Sequence, residues 1–261
     1  MMYMWKRVRN LNTITIIAMR QKNMIDIHSH ILPGIDDGAK DKNEAYLMIE
    51  QLKNNKITTV VCTPHFNPST KSLEKFIEER DRAYSEIMDK DINLLLGSEV
   101  FFSEILFYYE DISSLCIKDT IYLLIEFPTD IKINQKFFKQ VKELMAKYEV
   151  IPIIAHIERY KNLKNKKLLL KLKNLGCILQ VNTSSLLDKS KSKKLLKLIK
   201  EDFVDVLGSD CHNTSSRPPI FLKAMDMIAE QLGYEYRDKL VDYGYSIVNN
   251  KDIRKIIKFK L

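Results

Sequence analysis

The sequence predicts an α/β chain whose seven strands close, or nearly close, into a (β/α) barrel. Three observations carry this. Short β-rich runs alternate with longer segments of helical apolar spacing. The runs are continuously apolar, as expected of parallel strands covered on both faces. His28, His30, His65, Glu99, Glu126, His156, Asp210 and His212 each stand where such a run gives out, the end at which parallel barrels build their sites. With 261 residues, 45% of them hydrophobic, the chain can bury one full core of this type.

In chain order, the first strand is expected at 24–27, running into Asp26-Ile27-His28-Ser29-His30. The stretch Leu32-Pro33-Gly34-Ile35-Asp36-Asp37-Gly38 then holds turn residues and reads as a loop presenting acids over the barrel mouth. A helix at 43–54 leads to a β-branched strand at 57–62, which ends on Thr63-Pro64-His65. A helix at 72–88 precedes strand 93–96, which ends on Gly97-Ser98-Glu99. The segment 101–120 is aromatic and acidic without a clean period and reads as a small hairpin or lid. Strand 121–125 ends on Glu126, and helix 134–148 returns to strand 150–155 before Ala155-His156-Ile157-Glu158-Arg159. Helix 161–175, strand 177–181, helix 190–200 and strand 204–207 follow, the last ending on Ser209-Asp210-Cys211-His212. Helices at 219–232, 236–248 and 252–257 close the chain, with no internal repeat or linker.

Residues 24–261 are therefore expected to form one catalytic barrel, with 1–23 as a dispensable extension whose functional start is Met24. The extension imitates a signal peptide, but its apolar core is short and no small-x-small cleavage site follows. No run approaches the roughly 20 apolar residues of a membrane span. The formal charge of +8 falls to +3 without Lys6, Arg7, Arg9, Arg20 and Lys22. The remaining excess sits in the leucine-spaced stretches 161–173 and 189–200, which read as solvated helix faces rather than a nucleic-acid surface. Cys62, Cys116, Cys177 and Cys211 show no C-x-x-C spacing, which speaks against a disulfide framework or a zinc ribbon and fits a reducing cytoplasm.

None of the five histidines is spare: each stands in or beside a polar motif at the end of an apolar run. Neutral imidazole is the commonest transition-metal ligand near neutral pH. In His28-x-His30 and Asp210-x-His212 alternate residues of an extended segment point the same way, so each pair can grip one ion or be shared by two. A carboxylate such as Glu99 can bridge ions through its two oxygens. Singly, a histidine is more often a satisfied core residue; nine candidates in this pattern point to a multi-metal hydrolase. An imidazole and carboxylate shell without thiolate suits manganese, iron or magnesium as well as zinc.

These residues resemble the polymerase and histidinol phosphatase (PHP) superfamily, and within it the bacterial CpsB/CapC type of manganese-dependent protein-tyrosine phosphatase. The resemblance rests on Asp26-Ile27-His28-Ser29-His30-Ile31-Leu32-Pro33-Gly34-Ile35-Asp36-Asp37-Gly38-Ala39, then Thr63-Pro64-His65-Phe66, Gly97-Ser98-Glu99-Val100, Ala155-His156-Ile157-Glu158-Arg159-Tyr160 and Gly208-Ser209-Asp210-Cys211-His212-Asn213. It runs from Met24 nearly to the end. It implies a distorted seven-stranded (β/α) barrel, TIM-barrel-like, holding three metal ions: His28, His30, Glu99 and Asp210 on the first, Glu99, Glu126 and His156 on the second, Asp37, His65 and His212 on the third. It also supports Arg159 and Arg217 as the groups gripping the phosphoryl oxygens, for which a guanidinium offers bidentate donors and a permanent charge. The implied substrate is a tyrosine autokinase with a tyrosine-rich tail that governs capsule or exopolysaccharide assembly, with the phosphatase cytoplasmic and recruited to the membrane by that substrate.

Other readings stay open at this stage. A small-molecule phosphatase of the histidinol-phosphate type would use the same residues, and a noncatalytic metal-binding scaffold is suggested by the lysine-rich helices. Cys211-His212-Asn213-Thr214-Ser215-Ser216-Arg217 has the C-x5-R spacing of cysteine-dependent tyrosine phosphatases. That mechanism needs a low-pKa thiolate and converging backbone amides. The loop holds no glycine, and Cys211 between Asp210 and His212 should point away from the metals. Asp36 reads as a turn residue, a partner of a ligand or a general acid, Glu158 as a surface residue or a partner of a ligand, and the aromatics at 101–109 as a substrate wall or as core.

Overall fold

The computed structural model describes residues 24–88, 91–161 and 165–255. The expected extension 1–23 and the end of the helix expected at 252–257 lie outside the described residues.

The strands are β1 (Met24–Ser29), β2 (Ile57–Cys62), β3 (His65–Phe66), β4 (Asn93–Leu96), β5 (Glu99–Phe101), β6 (Tyr122–Glu126), β7 (Ile151–Ile154), β8 (Ile178–Asn182) and β9 (Val206–Gly208). Every pairing among them is parallel, in the orders β1-β2-β4 and β3-β5-β6-β7-β8-β9. The described residues thus show nine short strands where seven were expected, because two runs are broken at Thr63-Pro64 and Gly97-Ser98. Proline cannot donate to a ladder. At Gly97 the backbone passes so close to Val61 that a Cβ would stand 2.9 Å from its Cγ1. The breaks are stitched by Gly97 N–H to Cys62 O (2.9 Å) and Glu99 N–H to Pro64 O (3.0 Å). Beyond β9, Asp210 N–H donates to His28 O (2.8 Å) and His30 N–H to Cys211 O (2.9 Å), which brings the last strand's end beside the first.

The helices are α1 (Lys42–Asn54), α2 (Leu73–Ser85), α3 (Gln135–Tyr148), α4 (Lys166–Leu175), α5 (Thr183–Leu187), α6 (Ser192–Lys200), α7 (Phe221–Leu232) and α8 (Tyr234–Val248). Asp41, Ser72, Asn134 and Asn165 cap α1 to α4 by accepting a backbone N–H of the first turn. The short α5 has no counterpart in the periodicity. The expected hairpin or lid at 101–120 instead forms two 3-10 turns, Glu104–Tyr108 and Ser113–Leu115. The lysine-rich α4 departs from a purely solvated face: Lys173 is buried in an ion pair with Asp205.

Alternation of side chains divides the sheet. Ile25 and Ile27 on β1, Tyr122 and Leu124 on β6, Ile151 and Ile153 on β7, Ile178 on β8 and Val206 on β9 share one core with Tyr243 and Ile247 of α8. Neighbours of opposite parity, such as Leu123, Ile154, Leu179 and Leu207, belong to the larger core packed with the other helices. The sheet therefore curls around the smaller core. All four cysteines are buried and free, as their spacing suggested.

Candidate metal centre

The inner face of the curl changes from apolar to polar at the carboxyl ends of the strands. Continuing the inner parity of β6 places Glu126 there, and that of β8 places Gln180 and Asn182. His28, His30 and His156 depart from that parity, and identifiable devices turn them in. The β1–β2 register slips by one residue between Asp26 and Ser29, a bulge that lets Ile27 and His28 face the same side. His156 follows β7 with φ 31°, a left-handed conformation that re-aims its side chain, while Asp210, on the inner parity of Val206, follows β9 with φ 52°; both conformations are held by the surrounding structure. Gly208 lies under His28, where a Cβ would stand 2.5 Å from the histidine Cβ. Gly38 is pressed on His30, a Cβ there falling 2.1 Å from its carbonyl oxygen.

The nine residues singled out by sequence come together. Glu99 is the hub: its Oε2 lies 3.1 Å from His28 Nε2, 3.2 Å from His30 Nε2 and 3.1 Å from His65 Nδ1, and its Oε1 is 2.8 Å from His156 Nε2. Asp210 Oδ1 lies 3.6 Å from His28 Nε2 and 3.4 Å from His30 Nε2. Ligand atoms of His28, His30, Glu99 and Asp210 lie within 4.8 Å of one another, as do those of His30, Asp37, His65 and His212, and those of His65, Glu99 and Glu126. Asp37 is the exposed member, its Oδ1 at 3.4 Å from both His65 Nε2 and His212 Nε2. Glu126 Oε1 is 3.4 Å from His156 Nε2, and its Oε2 3.9 Å from His65 Nδ1. His156 thus reaches the two glutamates, while His65 groups with them as well as with Asp37.

Electrostatics shows what this arrangement fits. His30 Nδ1 faces Asp36 Oδ2 at 2.8 Å and His212 Nδ1 faces the Asp210 carbonyl at 3.0 Å. An acceptor opposite Nδ1 fixes a proton there, so Nε2 is the nitrogen that can present a lone pair to an ion. Both Nε2 atoms face carboxylate oxygens. Glu99 Oε2, buried among three imidazole nitrogens, has no hydrogen-bond partner among the described residues. Acceptors gathered in this way are held together by cations, and the donors, all nitrogen and oxygen, suit divalent metals. Burial works to lower His28 and His30, yet the neighbouring carboxylates raise both, so these imidazoles supply the positive charge that an ion would take over. Burial works to raise the Glu99 and Asp210 carboxyls, yet His28 and the neighbouring imidazoles hold both well below the usual carboxylate range. Burial, with the charges of His30 and Arg217, pushes His212 down to about 4, so it is neutral near pH 7.

Arg159 and Arg217 stand at the rim, their side chains 36% and 38% exposed. Both guanidiniums reach Asp210 Oδ2, Arg217 at 2.9 Å. They therefore present two fixed positive charges between the cluster and solvent.

Sequence reasoning missed Gln180 and Asn182. Gln180 Oε1 accepts from His156 N (2.7 Å) and faces His28 Nδ1 (3.4 Å); its Nε2 donates to Asn182 Oδ1 (2.8 Å). Asn182 Nδ2 in turn donates to Asp210 Oδ2 (2.6 Å). The signal was present: Gln180-Val181-Asn182 alternates polar residues in an otherwise apolar strand, the same parity that drew attention to His28-Ser29-His30. Asp36 proves to be more than a turn residue. Its Oδ2 also accepts from His65 N (3.0 Å) and its Oδ1 from Gly38 N (2.9 Å). Glu158 turns inward and accepts from Asn182 N at 3.1 Å.

The C-x5-R loop does not form a phosphate cradle. Cys211 is fully buried in the larger core, and burial pushes its thiol up to about 12. The amides of Ser215, Ser216 and Arg217 turn onto Asn213 Oδ1 at 2.8–3.0 Å rather than onto an anion.

Comparison with known proteins adds to this geometry. The family model for capsular polysaccharide synthesis, CpsB/CapC, matches residues 24–248. The tyrosine-protein phosphatase CpsB of Streptococcus pneumoniae is 32% identical over 226 residues, covering 80% of this chain and 91% of that protein. The tyrosine-protein phosphatase YwqE of Bacillus subtilis is 30% identical over 242 residues, covering 88% and 93%. A solved structure from the work on YwqE and CpsB, described as unique metal-dependent tyrosine phosphatases, superposes with a TM-score of 0.75 at 28% identity, covering 87% of this chain and 95% of that one.

Proposed function

Because the chain belongs to the CpsB/CapC family of capsular polysaccharide synthesis, we propose that it is a metal-dependent phosphatase that hydrolyses phosphotyrosine on proteins. The observation that carries this reading is the unpartnered Glu99 Oε2 among three imidazoles, with two arginines at the rim of the same cluster. The resemblance seen in the sequence extends to the substrate, a tyrosine autokinase of polysaccharide assembly, and to a cytoplasmic site of action. Among the described residues no helix is long and apolar enough to cross a membrane.

The ions are assigned as three, with manganese as the metal. His28, His30, Glu99 and Asp210 hold the first, Glu99, Glu126 and His156 the second, and Asp37, His65 and His212 the third, with His30 and His65 near enough to share. When bound, such ions supply Lewis-acid activation of water and neutralise phosphoryl charge. The chain's own contribution is positional. Asp36 and the Asp210 carbonyl keep the Nε2 lone pairs of His30 and His212 free. Gln180 and Asn182 keep His28, His156 and Asp210 in register. Arg159 and Arg217 exchange their contact with Asp210 for the phosphoryl oxygens, where paired guanidiniums orient the dianion and offset its charge. The nine strands are read as seven interrupted ones, β2 continuing into β3 and β4 into β5, closing through the bonds between β1 and the segment after β9. Residues 1–23 fall outside the matched region and are assigned no part in catalysis; the chain from Met24 onward should retain the full rate.

The test is hydrolysis of a phosphotyrosine peptide and of histidinol phosphate, before and after chelation and with Mn²⁺ restored. Peptide turnover that is lost on chelation and restored by manganese supports the proposal. Turnover of histidinol phosphate alone would replace it, and chelator-resistant turnover would return attention to Cys211.

A further inference from the structure

A groove of about 440 Å³ opens beside the candidate centre, within the size range of ligand-binding clefts. Leu195 and Leu198 of α6 give it an apolar floor, and Arg159, Lys161, Lys191 and Lys194 make its rim cationic. Lys191 and Lys194 lie one turn apart at the amino end of α6 and are exposed. Lys191 pairs with the exposed Asp188 at 3.3 Å; Lys161 and Lys194 make no ion pair with the described residues. The one acid of the lining, Glu158, does not neutralise this rim. Its Oε1 is taken by the Asn182 N–H and its Oε2 is buried, so neither oxygen faces the lysines.

Arg159 belongs to both places, lining the groove while its guanidinium reaches Asp210 in the centre. Because Arg159 lines both, the chain attached to a phosphoryl group held there can continue along this groove. A small phosphoester would end before reaching the lysines, whereas a peptide would continue over them.

We propose that the groove is a peptide subsite that takes acidic side chains flanking the phosphotyrosine of a protein substrate, a reading that rests on the centre being a protein-phosphotyrosine hydrolase. Carboxylates meet the Lys161, Lys191 and Lys194 ammonium groups, and the substrate's aliphatic atoms cover Leu195 and Leu198. The contacts are made by residues that belong to neither the proposed ligands nor the phosphoryl clamps, so they lower KM and leave kcat alone.

The experiment compares the manganese-loaded full chain with its K191E/K194E variant on three substrates: a phosphotyrosine peptide flanked by glutamates, the same peptide with glutamines, and p-nitrophenyl phosphate. Wild type should show a KM roughly tenfold lower for the glutamate peptide, an advantage that fades as salt screens exposed charges. The variant should lose that advantage with kcat unchanged, and its constants for p-nitrophenyl phosphate should match wild type, which also verifies its fold. Equal KM for both peptides with wild type, or an advantage that survives in the variant, would overturn the subsite while leaving the proposed activity standing. Hydrolysis of p-nitrophenyl phosphate but of neither peptide would overturn both.

Discussion

Replacing Asp36 by Asn isolates the role of a residue that touches a ligand without being one. The Asp36 side chain is almost wholly buried and accepts three bonds, from His30 Nδ1 at 2.8 Å, His65 N at 3.0 Å and Gly38 N at 2.9 Å. Burial works to raise its carboxyl, but His30 and the two backbone N–H groups hold it below the usual range. The amide has one acceptor oxygen and one donor group. With its oxygen in the Oδ2 position, the bonds to His30 and His65 survive, but its NH₂ then faces the Gly38 N–H. An unmet buried donor costs about 1–3 kcal/mol of fold stability. The loss of charge behind His30 lowers the basicity of Nε2, and carboxylates in this position are worth about 10–100-fold in metal affinity or activity, or about 1.4–2.8 kcal/mol at 1.4 kcal/mol per tenfold. Two measurements separate the effects: urea unfolding of chelated protein gives the first, and activity against free Mn²⁺ gives the second. Restoration of the full rate at high Mn²⁺ is expected. A metal affinity within twofold of wild type would refute the reasoning, whatever happens to stability.

Three further outcomes follow from the same geometry. Gly208→Ala places a methyl against His28 Cβ and should weaken Mn²⁺ binding by at least tenfold, a loss read by the same titration; unchanged binding would show that the strand end yields freely. Cys211→Ser should keep activity within about threefold and lower stability by about 1–3 kcal/mol, since a hydroxyl replaces a buried thiol; complete loss of turnover would restore the thiolate mechanism. Lys173→Met leaves Asp205 buried without its cation, at a cost of about 3–5 kcal/mol near pH 7. The sign with pH is fixed by Asp205, whose carboxyl is raised by burial and held down by Lys173. A raised acid binds its proton more tightly in the folded state, so stability is lost as pH rises from the unfolded value near ~3.9 through the folded one. Removing Lys173 raises it further, and the deficit of the variant should shrink as pH falls toward 4; a deficit independent of pH would show that packing, not charge, is what Lys173 supplies.

Much of this architecture was legible because two periods are simple. Strands 57–62 and 93–96 coincide with their apolar runs, and the ligand candidates stand at strand ends because a parallel sheet brings every carboxyl end to one side. What the period could not show was interruption. Pro64 and Gly97 were visible as residues, but that they split ladders rather than end them depends on contacts with neighbouring strands. The turns at 104–108 and 113–115 obey no period, being set by caps such as Ser103 and by packing on α3, where Tyr148 Oη donates to Tyr109 O at 2.8 Å. The burial of Lys173 was hidden for a different reason. Leucine spacing identifies the helix's inner stripe, but a lysine at its edge is buried only when a partner such as Asp205, 32 residues away, stands opposite.

The site shows the same division between what spacing carries and what only the fold decides. His28-x-His30 was read as two imidazoles on one face, and the pair does converge, with Nε2 atoms 3.1 Å apart. Yet simple alternation from Ile25 and Ile27 would have sent both histidines outward. It is the bulge between Asp26 and Ser29 that turns them in, and Asp26 fastens that bulge by accepting from Ser209 N at 2.8 Å and His28 N at 3.2 Å. His156 is turned inward by left-handed backbone, and Asp210, already on the inner parity of β9, adopts it as well, a conformation to which His and Asp are more prone than most residues. Three of the strand ends that build the cluster therefore depart from regular geometry at the residue that matters. A parallel sheet presents its inner positions in regular rows, and rows do not converge on a point; local departures at β1, β7 and β9 gather their side chains around Glu99, the one carboxylate that faces them all.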